Sequence, residues 1–121
     1  MGRKTVVYYP DARGQMPALD FLRALHRDER QKASAYLSYL EEQGEGLRRP
    51  IAEYLGDKLY ELRPKQIRLL YAFVGTEYAV VLHVFRKKTG PVPDRDKRLA
   101  QTRLAEFMQR YARGEFSGGE R

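Results

Sequence analysis

The sequence predicts an α+β domain in which a small antiparallel sheet, an N-terminal strand plus a three-strand meander, carries an N-terminal helical hairpin and a C-terminal helix. Three observations predict it. Apolar residues recur at helical spacing in two separate stretches, one early and one late. Short β-branched and aromatic runs bounded by turn residues fill the N-terminus and the stretch from Leu59 to Arg86. The last three of those runs are joined by connections too short for a crossover, so those strands are antiparallel. A chain of 121 residues holds about one such domain, set at 1–113, with 114–121 as a flexible tail.

Thr5-Val6-Val7-Tyr8-Tyr9 reads as a strand ended by Pro10-Asp11, and Pro17 suits the first turn of a helix. Leu19, Leu22 and Leu25 follow at helical spacing, with Phe21 beside them. Asp28 has the position of an N-cap with Gln31 three residues on, and Ala33, Tyr36, Leu37 and Leu40 form one apolar stripe before Gly44-Glu45-Gly46. Ile51 to Leu55 has no clear period and is read as a helical turn. Leu59 to Arg63, Ile67 to Val74 and Tyr78 to Arg86 are strands, joined by turns at Pro64-Lys65 and Gly75-Thr76. Asp94 to Arg113 closes the domain as a helix with Ala100, Leu104, Phe107, Met108 and Tyr111 on one stripe and Gly114 as its stop. Grouped this way, the helices are expected mainly on one face of the sheet.

Twenty-three Lys and Arg against sixteen Asp and Glu give a net charge of +7, which favours polyanionic partners. There are no cysteines, hence no disulfide, no thiolate zinc site and no thiol nucleophile. No apolar run approaches the length of a membrane span, and Met1 to Thr5 leads into a strand without a signal-like segment, so a cytoplasmic protein is expected. The sequence has no Gly-rich phosphate loop, nucleophile elbow or paired-histidine metal spacing. Its two histidines, His26 and His83, lie on different elements, and neither a metal nor another cofactor is expected.

Strand alternation puts Glu61 and Arg63 on one face. Antiparallel order brings the end of the first meander strand near the start of the second and the end of the third. Arg63, Lys65, Arg68, Arg86, Lys87 and Lys88 are therefore expected to converge at one edge as a positive patch. Each residue also has a plainer reading. Arg63 and Glu61 can pair with each other, His83 can be a hydrogen-bonded core histidine, and Lys87-Lys88 can protect a strand end. Arg95 and Arg98, interleaved with Asp94 and Asp96, can be a solvated helix face. If such a domain cuts a phosphodiester without metal, RNA supplies the nucleophile as its 2′-OH. The protein then needs cations for the phosphorane charge and groups that move two protons.

Leu55-Gly56-Asp57-Lys58-Leu59-Tyr60-Glu61-Leu62-Arg63, Ile67-Arg68-Leu69-Leu70-Tyr71-Ala72-Phe73 and Leu82-His83-Val84-Phe85-Arg86-Lys87-Lys88-Thr89, in that order, resemble the phage-derived HigB-like branch of the RelE/ParE toxin superfamily. Leu19-Asp20-Phe21-Leu22 and the stretch from Gly44 to Pro50 add to a similarity spanning about Val6 to Tyr111. The resemblance implies a RelE-like fold and a type II toxin that cleaves mRNA in the ribosomal A site. Its partners would be a DNA-binding antitoxin, the ribosome and mRNA, with no membrane, and the toxin alone would be a monomer. Arg63 and Arg68 would bind phosphate and stabilise the transition state. Lys87 and Lys88 would contact RNA or assist proton transfer, with Glu61 and His83 as further catalytic candidates. Lys58, Lys65, Arg86, Arg95 and Arg98 would bind RNA. Lys58 stands where the family more often has glycine, the turn at Pro64-Lys65 is short, and a second Lys-Thr is missing after Gly90. Two other functions fit the same chain: a ParE-like toxin that inhibits DNA gyrase by binding, and a basic nucleic-acid-binding module without catalysis.

Overall fold

Val6, Val7 and Tyr8 are all buried, although successive strand residues point to opposite faces, so the first strand lies inside the sheet with layers on both sides. A computed structural model describes residues 2–87, 90–115 and 119–120; Lys88, Thr89 and tail positions 116–118 and 121 lie outside the described residues. The elements run β1 (Thr5–Tyr8), α1 (Pro17–Arg23), α2 (Arg27–Gln43), β2 (Ala52–Gly56), β3 (Leu59–Leu62), β4 (Ile67–Val74), β5 (Tyr78–Arg86), α3 (Asp94–Ala112) and β6 (Gly119–Glu120).

The sheet order is β2-β3-β4-β5-β1-β6. The meander β3-β4-β5 is antiparallel, as expected, but β1 runs parallel to β5, with Thr5 beside Tyr78 and Tyr8 beside Val81, so the sheet is mixed. Helices cover both faces rather than mainly one. Val6, Tyr8, Leu62, Leu69, Tyr71 and Val81 pack with Leu22, Leu37 and Leu40 of the N-terminal hairpin. Val7, Leu70, Ala72, Val80 and Leu82 pack with Ala100, Leu104 and Phe107 of α3. The continuous apolar runs of β4 and β5 carried this information, because a strand buried on both faces loses its polar alternation.

Three local readings change. Asp28 is not an N-cap: α2 starts at Arg27 after His26, and Asp28 sits in the first turn, where its charge suits the helix dipole. Ile51 to Leu55 is not a helical turn. It leads into β2, an edge strand paired with β3 through Ala52–Leu62, Glu53–Glu61 and Tyr54–Tyr60. Met108 is turned away from the α3 stripe and is exposed. The hairpin from β2 to β3 turns on Asp57 and Lys58, whose φ angles are 53° and 68°. A mirror-image two-residue turn of this kind follows the strand twist, and glycine adopts it most readily.

Candidate active site

The distal ends of β3, β4 and β5 gather the charged residues, and register decides which of them share a face. Glu53 lies beside Glu61, Glu61 beside Leu70, and Leu70 beside His83. One rung further, Arg68 lies beside Phe85, and Arg63 continues β3 alongside it. Glu53, Glu61, Arg63, Arg68, His83 and Phe85 thus occupy the α3 side of the sheet, beyond the apolar patch that α3 covers.

Glu61 is the most deeply buried charged residue among the described residues, 2% exposed. Its Oε2 lies 3.5 Å from Arg68 Nε, and its Oε1 lies 3.9 Å from Arg63 Nη1. Neither Glu61 Oε2 nor Arg68 Nε completes a hydrogen bond, so the central pair is close but under-bonded. Arg68 is anchored from its other end: Nη1 donates to the carbonyls of Lys65 at 2.7 Å and Ile67 at 2.8 Å. Burial pushes the Arg68 guanidinium below its ordinary value, Glu61 opposes that shift, and Arg63 adds to it. Arg63 donates to Glu53 Oε1 at 2.7 Å, and Glu53 also accepts from Arg49 at 2.6 Å. The hydrogen bond from Arg49 chiefly holds the Glu53 carboxyl below the usual range, and Arg63 lowers it further.

His83 stands next along the same face. Its Nε2 is 2.6 Å from Asp96 Oδ1, and its ring stacks on Phe85 with centroids 5.4 Å apart. Asp96 comes from the first turn of α3, so the helix start positions the imidazole. The sequence reading left Asp96 in a solvated helix face and gave Glu53 no role. Only the pairing of β2 with β3 and the crossing of α3 over β5 bring these two carboxylates to the site.

The expected convergence of cations is partial. Arg86 leaves by the opposite face, because Ile67, not Arg68, is its partner in register. There it forms a two-pronged pair with Glu29 of α2, at 2.6 and 3.0 Å. Lys58 lies at the other end of β3, about 17 Å of strand from Arg63. Lys65 is exposed in the turn, and its carbonyl serves Arg68. Lys87 is half-buried just past β5, its N–H bonded to the Gln66 carbonyl at 2.9 Å. Lys88 lies outside the described residues. Arg95 and Arg98 are exposed on the first half of α3. The core of the cluster is therefore a set of ion pairs, two arginines against Glu53 and Glu61, rather than a bare positive patch.

A family model described as phage derived protein Gp49-like matches residues 20–105, which include all six residues of that face and Asp96. The chain belongs to the Gp49-like family. This is a RelE/toxin-like family, and membership suggests the toxin of a toxin–antitoxin pair with an antitoxin as partner. No curated protein matches this Gp49-like chain. Among its described residues no helix is long and apolar enough to cross a membrane, and no three His, Asp or Glu side chains form a group that could hold a metal ion.

Proposed function

We propose that this Gp49-like protein is a ribosome-dependent endoribonuclease, acting as the HigB-like toxin of a type II pair in the cytoplasm. The observation that carries the reading is the placement of Arg63 and Arg68 beside the His83–Asp96 pair on one sheet face, with Glu61 buried beneath them. Cleavage of RNA needs no protein nucleophile. The 2′-oxygen forms a bond to phosphorus, the bond from phosphorus to the 5′-oxygen breaks, and the products are a 2′,3′-cyclic phosphate and a 5′-hydroxyl. The proton leaves the 2′-OH for a base, and a second proton reaches the departing 5′-oxygen.

In this reading Arg63 and Arg68 hold the phosphoryl oxygens and stabilise their growing charge. Glu61 orients Arg68, because an arginine held between a carboxylate and two carbonyls keeps its remaining donors in place. His83 moves a proton, with Asp96 holding one ring nitrogen and leaving Nδ1 for substrate. Lys87 and Lys88 contact the strand or share the proton transfers, and Lys65, Arg95 and Arg98 hold flanking phosphates. Lys58 and Arg86 are left out of this site by their positions.

Primer extension on a reporter mRNA, with and without translating ribosomes, tests the reading with wild type, Arg63→Ala and His83→Ala. Cuts within codons that need ribosomes and are lost in the variants support it. No cuts from folded, antitoxin-free protein sink it. The neutralisation of Arg63 by Glu53 favours one second reading, a toxin that acts by binding alone, as a ParE-like inhibitor of DNA gyrase does. That reading predicts growth arrest with intact mRNA.

A further inference from the structure

The other end of the sheet edge carries a feature that the cleavage chemistry does not use. Tyr54 projects from edge strand β2 with 55% of its surface exposed, unusual for a large aromatic ring. It is the outermost member of an aromatic ladder. Its ring lies 4.8 Å from that of Tyr60, which stacks on Tyr71 at 5.3 Å and meets Phe73 edge-on at 5.1 Å. Two open grooves flank Tyr54 and Tyr60. One, of about 360 Å³, is bounded by Leu47, Arg48, Arg49 and Glu53; the other, of about 260 Å³, by Glu45, Lys58 and Phe73.

The charge of this surface is one-sided where it is open. Glu45 is paired with Lys4 at 2.9 Å, and Glu53 is held between Arg49 and Arg63. Arg48 and Lys58 stand exposed on either side of the rings, and Arg49 keeps three quarters of its side chain exposed despite its pair. Arg48 is near enough to Tyr60 to offset part of the upward push that burial gives its phenol. Flat rings offered to solvent between cations are the means by which proteins hold unpaired bases and the phosphates between them. A duplex hides its base faces in the stack, whereas an unpaired strand offers a flat base face and a phosphate in every nucleotide, the spacing of a ring flanked by cations.

We propose that the Tyr54–Tyr60 surface is a binding site for single-stranded RNA, with a base stacked on the exposed ring of Tyr54, backed by half-buried Tyr60, and phosphates on Arg48 and Lys58. The site lies on the opposite face of the sheet from the candidate active site. The two meet only at edge strand β2, where Glu53 lines the groove and holds Arg63, so a single strand reaches both by passing round that edge. The inference rests on the RNA reading of the protein and adds a second contact to the same substrate.

The test is fluorescence anisotropy of the full chain with a labelled, uncleavable 2′-O-methyl RNA of about ten nucleotides, within the usual site size. Because this probe cannot be cut, binding is scored whether or not the protein is a nuclease. Tyr54→Ala should weaken binding about tenfold in a protein that remains folded, checked by its unfolding transition lying well above the assay temperature. Arg48→Gln should lower the slope of log affinity against log salt by about one unit. An abasic oligonucleotide should bind wild type and Tyr54→Ala equally, since it has nothing to stack. Equal affinity of wild type and Tyr54→Ala for the full RNA overturns the proposal. So does an equal loss for the abasic strand, or a Tyr54→Ala variant that loses only a co-expressed antitoxin.

Discussion

Arg68 and Arg86 sit on adjacent strands at neighbouring rungs of one sheet, yet they belong to different worlds. Arg86 faces α2 and meets Glu29 through two short hydrogen bonds at the surface. Arg68 faces the α3 side, largely buried, against a carboxylate that it does not bond well. The better-formed pair is the one that water could replace, and the worse-formed pair is the one that cannot be separated cheaply. Surface ion pairs of good geometry add little to stability, whereas a buried pair that loses one partner strands the other charge. In the proposed reading, this poorly satisfied pair is kept for holding phosphate rather than for stability.

The largest effect expected from this contrast is on cleavage. Arg63→Ala should cut ribosome-dependent cleavage by on the order of a hundredfold or more, as loss of a transition-state donor does, while Arg86→Ala leaves the rate unchanged; both are read from primer-extension time courses. Equal losses in the two variants would break the contrast between the faces. Next comes stability. Glu61→Ala should destabilise the fold by about 3 kcal/mol in urea unfolding, because it leaves Arg68 buried without its counter-charge. Replacing both partners, Glu61→Leu with Arg68→Met, should recover most of that stability without recovering cleavage.

A smaller effect is expected at the far end of β3. Lys58→Gly should stabilise by about 0.5 to 1 kcal/mol in the same unfolding experiment, since φ at Lys58 is 68° and glycine adopts that conformation without strain. The smallest concerns Arg86. Its hydrogen bond holds the Glu29 carboxyl below the ordinary value of 4.5. A carboxyl lowered on folding adds stability above its unfolded value and loses it as pH falls through the folded one. Any stability difference between wild type and Arg86→Ala should thus be present at neutral pH and close below about pH 4.5, as followed by thermal unfolding across the pH range.

The sequence disclosed most of the elements and part of the site. The meander, the two helical stripes and the adjacency of Glu61, Arg63 and Arg68 follow from alternation and short turns, which are local. What escaped was long-range. Nothing in Thr5–Tyr8 states that it pairs parallel with a strand some seventy residues on, or that α3 crosses the face opposite α2. Ala52–Gly56 is too polar and too short to announce itself as a strand, so Glu53 and its hold on Arg63 were invisible. Asp96 lay within an alternating charge run whose plainest reading is solvation. Arg86 was placed on the wrong face because convergence at a strand end was judged without counting register. The departure at Lys58, by contrast, was legible, and the left-handed turn explains why glycine is the commoner residue there.

The parallel seat of β1 beside β5 has a consequence in time. Of the core, β1 is made first, and its partner strand is among the last to be made. During synthesis the buried Val6, Val7 and Tyr8 have no strand partner to the side until Tyr78–Arg86 has emerged, and α1 and α2 have only part of their sheet, β3 and β4, to pack on. The domain therefore cannot mature from its N-terminus. It assembles as a unit once nearly the whole chain is available, with the slow loop closure of a long-range pairing as its gate. A nascent chain of this protein carries Glu53, Glu61, Arg63 and Arg68 before β5 and α3 bring His83 and Asp96 to complete the face.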